Sequence, residues 1–364
     1  MAPELVGFLF VILLVALIAL RMWVGVAMGI VGVIGLSILR NMDMALASVA
    51  EIPFGFIVGD DQAAVLMFAL MGSVIAESLA GKGLPGVRSV ILPVMPLMLY
   101  GMISGQPVGN LLVAGIVPGI LFPFAFLLVN IVVKKLRFVA MASAEKLTVI
   151  DKIRVQWRLI PFVILFFLVV AGIYSGVLTA IESGAIGAAG AIVISLVFKS
   201  LDGKRFIASI KETAITVGMV FSLVFGASLF IRFISLSEFP FVISLMAVAR
   251  DFPLVVFMIP VATACLVMSK FLPAAAIVVI SVPIVYPALM AAGFDPVWLG
   301  VFMVCVSYIG LFAPPEEMQA AGLDAAPGKP GFYGRLPFVS ANLLVIIAIC
   351  VFPMLVTWLP SRMG

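Results

Sequence analysis

The length of the apolar runs constrains this chain more than any other feature of its sequence. The stretches 108–133 and 213–231 contain no charged residue at all. A run of about 18 or more apolar residues can cross a bilayer as a helix, and a helix satisfies its own backbone hydrogen bonds in hydrocarbon. Only 10% of the 364 residues are charged, whereas soluble domains average about 25%. The sequence therefore predicts an all-α polytopic membrane protein with about ten hydrophobic crossings.

The residue types that are missing or scarce exclude several classes of function. The chain has no histidine, so histidine-based metal, acid–base and nucleophilic chemistry is excluded. Its cysteines, Cys265, Cys305 and Cys350, lie far apart in apolar stretches, which is neither a disulfide framework nor a metal cluster. The net charge of +4 is concentrated in a few loops, which indicates orientation in a bilayer and not binding to nucleic acid. We expect no enzyme activity, no metal site and no organic cofactor.

Basic residues divide the chain and indicate its orientation. The segment 134–158 carries seven lysine and arginine residues against two acidic ones, so the positive-inside rule predicts a cytoplasmic loop. This loop separates an N-terminal half, 1–133, from a C-terminal half, 159–364. The basic segment 199–212 follows two further predicted crossings, which return the chain to the same side.

The N-terminal region predicts a hairpin of two spans. Residues 1–20 lack a basic start and a small-residue cleavage site, so we interpret them as a span and not as a signal peptide. The apolar stretch 5–39 is too long for one crossing, and we expect it to turn near Arg21 and Trp23. Residues 41–62 are more polar and are expected at or outside the membrane surface.

Three stretches carry proline, two of them together with glycine, at the expected membrane depth, namely 91–107, 270–287 and 310–317. Non-helical backbone is tolerated there only where protein or a water-filled cavity receives its polar groups, and transporters use such interruptions to bind ions and substrates. A proline kink or a helix end would explain any one stretch, but three, in both halves, favour a carrier. We expect a re-entrant hairpin at about 271–290 and a broken helix at about 298–317.

A polar cluster lies between two apolar runs, at Thr179, Glu182 and Ser183. The spacing Thr-x-x-Glu is the capping-box pattern, in which both side chains satisfy free N–H groups at the start of a helix. The alternative is that Glu182 belongs to a buried polar site and contacts a substrate or an ion.

Four motifs, in this order along the chain, carry a resemblance to a known family. Residues 91–101 (ILPVMPLMLYG) resemble its IPPSIPLVLYG segment, and 112–119 (LVAGIVPG) resembles LxAGIxPG. Residues 172–182 (GIYSGVLTAIE) resemble GIYxGxxTPTE, and 309–315 (IGLFAPP) resembles IGLLTPP. The ordered set is similar to the large membrane subunit of TRAP transporters, the DctM-type permeases.

The resemblance implies a secondary transporter in a bacterial inner membrane that imports a small organic anion, such as a carboxylate or a dicarboxylate, with Na+ as the family's coupling ion. It implies two protein partners, a small TRAP membrane subunit and a periplasmic substrate-binding protein, beside the lipid bilayer. It also implies an elevator-type fold, with a scaffold and a transport domain built from inverted repeats.

The chain departs from the family pattern where the family binds ions. The first repeat is shortened, because the long insert with the first hairpin and a Ser-Gly-Ser motif is missing before residue 91. Ser269 occupies the position of a hairpin-tip glycine, and Ala313 replaces a threonine. Glu316 and Glu317 replace a Val-Gly pair. The resemblance therefore does not carry sodium coupling over to this chain.

The motifs and interruptions supply the candidate residues for substrate and ion contacts. They are Ser104, Thr179, Glu182, Ser269, Lys270, Gly310, Ala313, Pro314, Pro315, Glu316 and Glu317. For Lys270 two hypotheses are open. Its ammonium could replace a bound cation and pair with Glu316 or Glu317, because an unpaired charge at membrane depth is costly. Alternatively, Lys270 reaches the membrane interface and both glutamates face water.

Two other functions compete with transport. A degenerate, non-transporting scaffold or assembly subunit would explain the shortened first repeat. An intramembrane aspartyl protease is suggested by the sequence VGDD at 58–61, but its first position is valine and not glycine, and no second intramembrane aspartate is evident. A mechanism that uses two carboxylates needs both groups.

Overall fold

The computed structural model describes residues 2–58, 60–79, 94–135, 149–248, 254–269, 272–309 and 332–363. The regular structure of these residues is helical, as the sequence predicts. In chain order the helices are α1 (Pro3–Ala19), α2 (Val24–Leu39), α3 (Met42–Val58), α4 (Asp60–Leu79), α5 (Val94–Ser104), α6 (Val108–Ala114), α7 (Ile116–Lys135), α8 (Val149–Tyr174), α9 (Ala180–Val197), α10 (Gly203–Leu236), α11 (Phe239–Val248), α12 (Leu254–Met268), α13 (Ala274–Ala291), α14 (Pro296–Ser307), α15 (Phe332–Val351) and α16 (Met354–Thr357), followed by a 3₁₀ turn, Pro360–Arg362.

The described helices have the surface of a membrane protein. Four helical segments among the described residues combine the length and the apolar composition needed to cross a bilayer: Val108–Val129, Ala180–Val197, Gly203–Leu236 and Ala274–Ala291. Large apolar side chains such as Phe124, Leu128 and Ile164 stay about 60% exposed on the outside of α7 and α8, where hydrocarbon and not water is the favourable solvent. The chain is therefore a multi-pass, all-α membrane protein.

Helices α1 and α2 form the hairpin that the sequence predicts near Arg21 and Trp23. The backbone N–H of Met22 donates to the carbonyl of Leu17 at 3.2 Å, and Arg21 takes a left-handed φ of 64°. Trp23 precedes α2 as its N-cap residue. The turn therefore uses the helix-ending geometry in which one left-handed residue closes the last turn.

Helix α2 runs parallel to α10 with backbone against backbone. A Cβ added at Gly226 would collide with the carbonyl group of Gly25, and one added at Gly32 would lie 2.7 Å from the carbonyl carbon of Leu229. The residue numbers rise together along both helices, which makes the pair parallel. Small residues permit such close approach between membrane helices, so these positions require glycine.

Helix α10 joins two parts of the bundle. Its 34 residues extend over about 51 Å, more than the roughly 30 Å of a hydrocarbon core, so it tilts or projects beyond the bilayer. Near its start, Thr213 Oγ1 lies 2.6 Å from Ser73 Oγ of α4, and its second half packs on α2. Helix α4 in turn packs on the small-residue face of α9, where a Cβ added at Gly184 would lie 2.9 Å from Met67 Cβ.

Helices α14 and α15 pack in opposite directions around Trp298. The indole Nε1 of Trp298 donates to the carbonyl of Ile349 at 2.9 Å, and its ring stacks on Phe302 with centroids 5.2 Å apart. Toward the other end of α14, the Asn342 amide donates to the carbonyl of Cys305 at 2.9 Å. These bonds supply partners for polar groups that would otherwise be unsatisfied in an apolar layer.

The structure corrects several expected boundaries. The proline-rich stretch expected to be interrupted at about 271–290 is one continuous helix, α13, which runs through Pro283 and Pro287. Helices α12 and α13 lie side by side, with Cys265 Sγ 3.8 Å from Ser281 Oγ. Proline frees one carbonyl per site, and a membrane helix tolerates this where neighbouring helices or local adjustment satisfy the freed group.

The polar segments are also more helical than their composition predicts. Helix α3 occupies most of 41–62, and α10 already begins at Gly203, inside the basic segment 199–212. Helices α7 and α8 extend into both ends of the predicted loop 134–158, while 136–148 lie outside the described residues. Long basic side chains can direct their charges toward water from a helix end, so charge alone does not end a helix.

Candidate functional site

Helix α5 is interrupted where the sequence predicts, after Ser104. Gly105 takes a left-handed φ of 69°, and the N–H of Gln106 donates to the carbonyl of Gly101 at 3.1 Å. This bond closes the last helical turn, and Pro107 then prevents the helix from continuing. The Ser104 hydroxyl donates to the carbonyl of Tyr100 at 2.7 Å, so this side chain helps to end the helix.

The turn between α13 and α14 has the same construction. Gly293 has a φ of 86°, and the N–H of Phe294 donates to the carbonyl of Leu289 at 3.1 Å. Pro296 opens α14, and the Asp295 carboxylate caps that helix by accepting from the N–H of Trp298 at 2.8 Å. Glycine is favoured at both turns because a left-handed φ strains most other residues.

We call these two turns the paired turns (105–107 and 292–295), and two hydrogen bonds join the segments around them. The Tyr100 hydroxyl donates to the carbonyl of Pro296 at 2.6 Å, and the Gln106 amide donates to the Tyr286 hydroxyl at 3.1 Å. The two tyrosine rings meet edge to face with centroids 6.2 Å apart. The interrupted stretch 91–107 therefore contacts the proline-rich stretch 270–287, which is itself a continuous helix.

The paired turns can present polar groups to a solute. Ser104, Gln106, Tyr286 and Asp295 are each partly exposed, whereas Tyr100 is fully buried. The Gln106 amide has two N–H donors and uses one on Tyr286. Since Tyr286 accepts that bond, its own O–H can donate elsewhere. The Gln106 amide and the Tyr286 hydroxyl can therefore donate hydrogen bonds, whereas the Asp295 carboxylate accepts them.

The signature segment 172–182 ends in the predicted helix cap. The Thr179 N–H donates to Glu182 Oε2 at 2.8 Å, and the Glu182 N–H donates to Thr179 Oγ1 at 3.3 Å. The capping box at the start of α9 is confirmed. Contact of Glu182 with a substrate or an ion stays a prediction. The preceding helix end lies beside the start of α6, because a Cβ added at Gly109 would come within 3.0 Å of Ile173 Cγ2.

Ser269 lies at the other end of α13 from the paired turns. Its hydroxyl donates to the carbonyl of Leu266 at 2.7 Å, just after α12 ends. From Ala274 to Tyr286, α13 rises by about 18 Å. The structure therefore does not bring Ser269 together with Ser104. The remaining candidates lie outside the described residues: Lys270, Gly310, Ala313, Pro314, Pro315, Glu316 and Glu317.

Reasoning from the sequence missed four residues that connect the interrupted segments to their neighbours, namely Tyr100, Gln106, Tyr286 and Asn342. A glycine followed within three residues by a proline, as at Gly105 and Gly293, was an available signal for the turns. Asn342 is only 4% exposed within an otherwise apolar run of α15. An intramembrane polar residue of this kind is a functional candidate by default.

The described residues contain no group of three or more histidine, cysteine, aspartate or glutamate side chains that could hold a metal ion. The hydroxyls of Ser104 and Ser269 donate to backbone carbonyls, and each still has lone pairs with which to accept a hydrogen bond or contact a cation.

The sequence of the chain matches a family over most of its length. Residues 86–355 match the family model for the tripartite ATP-independent periplasmic transporter, DctM component. The chain belongs to the DctM family. The four motifs identified in the sequence all lie within the matched range, and so do the paired turns.

Three DctM-type relatives have low sequence identity to this chain but align with most of its length. The sialic acid TRAP transporter large permease protein SiaM of Vibrio cholerae is 27% identical over 286 residues, which is 76% of this chain and 65% of the relative. The C4-dicarboxylate TRAP transporter large permease protein DctM of Pseudomonas aeruginosa is 24% identical over 351 residues, which is 89% of this chain and 82% of the relative. The isethionate TRAP transporter permease protein DctMQ of Oleidesulfovibrio alaskensis is 28% identical over 279 residues, which is 75% of this chain and 43% of the relative. The chain thus spans just under two thirds of SiaM and less than half of DctMQ.

Proposed function

We propose that this chain is the large membrane subunit of a TRAP-type secondary transporter that imports a small organic anion across a bacterial inner membrane. One observation carries the proposal: the interruption after α5 is held against α13 by the bond from Gln106 to Tyr286. Interrupted backbone inside a membrane bundle is typical of solute and ion paths. Membership of the DctM family supports the same conclusion.

A carboxylate or dicarboxylate is the substrate class we propose. The names of the reported relatives refer to sialic acid, C4-dicarboxylates and isethionate, which are anions at neutral pH. The Gln106 amide and the Tyr286 hydroxyl can both donate hydrogen bonds, and hydrogen bonds to ionised acceptors are the stronger ones.

Two protein partners and an ion gradient complete the proposal. The partners are a small TRAP membrane subunit and a periplasmic substrate-binding protein, as the word tripartite in the family description suggests. Na+ is the candidate coupling ion. The dependence of uptake on Na+ is the first quantity to measure, because this chain departs from the family pattern at Ser269, Ala313, Glu316 and Glu317.

Reconstituted transport tests the proposal. The chain is placed in proteoliposomes with its two partner subunits, and uptake of a labelled C4-dicarboxylate, sialic acid and isethionate is measured with and without an inward sodium gradient. We expect uptake of one anion above that of liposomes without the chain, and loss of uptake when an ionophore dissipates the driving gradient. Absence of uptake for all three anions by a correctly assembled complex would contradict it.

The second candidate is a non-transporting scaffold or assembly subunit. The shortened first repeat, in which only a few residues join Gly83 to Ile91, favours it. In that case the chain would co-purify with both partners, and the complex would move no anion. The same reconstitution therefore separates the two candidates.

A further inference from the structure

A groove of about 420 Å³ lies between α2, α3 and α10. Gly29 and Val33 of α2 line it together with Phe225 and Leu229 of α10, and Val49 of α3 borders it. Its walls are almost entirely carbon, and the lining residues Val26 and Ile34 are more than 40% exposed on α2. In a membrane protein such a surface faces lipid.

An ion pair lies at one end of the groove. Arg232 follows Leu229 by three residues and so lies on the same face of α10. Its Nη1 donates to Glu51 Oε2 at 2.7 Å and to Ser48 Oγ at 3.3 Å, which connects α10 to α3. Arg232 is the first charged residue after the apolar run 213–231. Its side chain is 42% exposed and that of Glu51 is 69% exposed, so both charges are accessible.

We propose that the groove binds one acyl chain of a zwitterionic aminophospholipid, whose phosphate contacts Arg232 and whose ammonium contacts Glu51. The apolar lining suits the acyl chain, and a headgroup with both signs of charge matches an exposed ion pair with both signs. A headgroup with only negative charge would be attracted by Arg232 but repelled by Glu51. A guanidinium has five N–H donors, and both observed bonds leave from Nη1, so donors on the remaining nitrogens can reach a phosphate.

The size of the groove favours an acyl chain over a protein helix. A volume of about 420 Å³ is within the range of about 300–1,000 Å³ for sites that hold small molecules. A helix about 10 Å across, lying alongside residues 25–34, would fill roughly 1,000 Å³. A partner helix would therefore only rest on the rim, whereas a single acyl chain can enter.

Native mass spectrometry of the purified chain tests the proposal. The chain is offered phosphatidylethanolamine and phosphatidylglycerol separately, and the bound fraction is measured. We expect a one-to-one adduct with phosphatidylethanolamine and at least fivefold less adduct with phosphatidylglycerol. Glu51→Gln should reduce this preference, because the carboxylate that contacts the ammonium is lost.

Gly29→Leu fills the groove with a side chain of the protein. The nearest atoms to a Cβ added at Gly29 are 3.9 Å away, so the side chain enters without displacing α10. We expect at least a fivefold loss of the phosphatidylethanolamine adduct. Gly218→Leu is the matched control, because Gly218 lies on α10 in open space outside the groove, and its adduct should equal that of the unaltered chain.

Three outcomes overturn the proposal. An unchanged adduct in Gly29→Leu would mean that lipid binds elsewhere, and equal adducts with both lipids would contradict the role of the ion pair. If Gly29→Leu retained lipid but lost the small membrane subunit on co-purification, the occupant would be a protein helix. Lipid binding is measured without transport, so it succeeds or fails independently of the proposed uptake function.

Discussion

The side-chain amide of Gln106 donates a hydrogen bond of 3.1 Å to the hydroxyl of Tyr286, 180 positions further along the chain. Gln106 lies in the turn that interrupts the first half, and Tyr286 lies one turn before the end of α13. The bond therefore connects the two halves close to the turn that follows α5 and the turn that follows α13. Transport that depends on the relative position of these turns should depend on this bond.

Removal of this bond should affect both stability and uptake. We expect Gln106→Leu and Tyr286→Phe each to lower the free energy of unfolding by about 0.5–1.5 kcal/mol, the usual net value of one hydrogen bond. The double variant should lose little more than either single variant, because both remove the same contact. Unfolding in detergent and uptake in proteoliposomes provide the two measurements. Fully additive losses would show that the residues act independently.

Tyr100→Phe should destabilise the contact between α5 and the start of α14. The Tyr100 ring is fully buried, and its hydroxyl is bonded to the carbonyl of Pro296 at 2.6 Å. Loss of the hydroxyl removes one hydrogen bond, which contributes about 0.5–1.5 kcal/mol. Thermal unfolding provides the measurement. Tyr174→Phe is the control, because the described residues give the Tyr174 hydroxyl no hydrogen bond, and it should unfold as the unaltered chain does.

Gly226→Ala should destabilise the bundle, whereas Gly218→Ala should not. A Cβ at Gly226 would collide with the carbonyl group of Gly25, while a Cβ at Gly218 meets nothing within 4 Å. Overpacking costs about 1–3 kcal/mol or more when backbone must move. At Gly218 alanine should instead stabilise α10 by about 0.5–1 kcal/mol through its better helix propensity. Equal unfolding temperatures for the two variants would contradict the observed approach of α2 to α10.

The capping box gives a test that separates structure from solute contact. Thr179→Ala should lower the free energy of unfolding by about 0.5–2 kcal/mol, and Thr179→Ser should restore it, because a serine hydroxyl caps equally well. Glu182→Gln keeps the box, since glutamine can take the glutamate position. We expect it to leave both stability and the KM for uptake unchanged. A raised KM with unchanged stability would instead assign Glu182 to the solute path.

Lys270→Met tests whether a tethered ammonium replaces a bound cation. If the Lys270 ammonium pairs with Glu316 or Glu317, we expect the methionine variant to lose uptake in the absence of sodium and to recover part of it at high sodium. The reason is that a buried carboxylate left without its partner needs another cation. Uptake as a function of sodium concentration provides the measurement. Unchanged uptake with unchanged sodium dependence would favour a lysine that reaches the membrane interface.

Local sequence predicted those parts of the structure that local geometry determines. The hairpin at Arg21 and Trp23 and the interruption at Gly105 follow from residues that end helices wherever they occur. The capping box at Thr179 is also local, because it needs only two side chains three residues apart. These predictions are confirmed without knowledge of the rest of the fold.

Contacts between distant residues were not predictable in the same way. Tyr100 and Pro296 are separated by 196 positions, and the spacing of each gives no indication of the other. Pro283 and Pro287 predict an interruption from the sequence alone, but α13 continues through both. A membrane helix continues through proline where a neighbouring group donates a hydrogen bond to the freed carbonyl, and this depends on how the helices pack.

The backbone contact between Gly25 and Gly226 restricts how this bundle can move. Helices in such contact cannot roll or slide past each other without first separating, because each carbonyl group obstructs the other's path. The pair α2 and α10 is thus suited to be a stationary frame. In the proposed transport cycle, we expect displacement in helices that pack on this frame through deformable side chains.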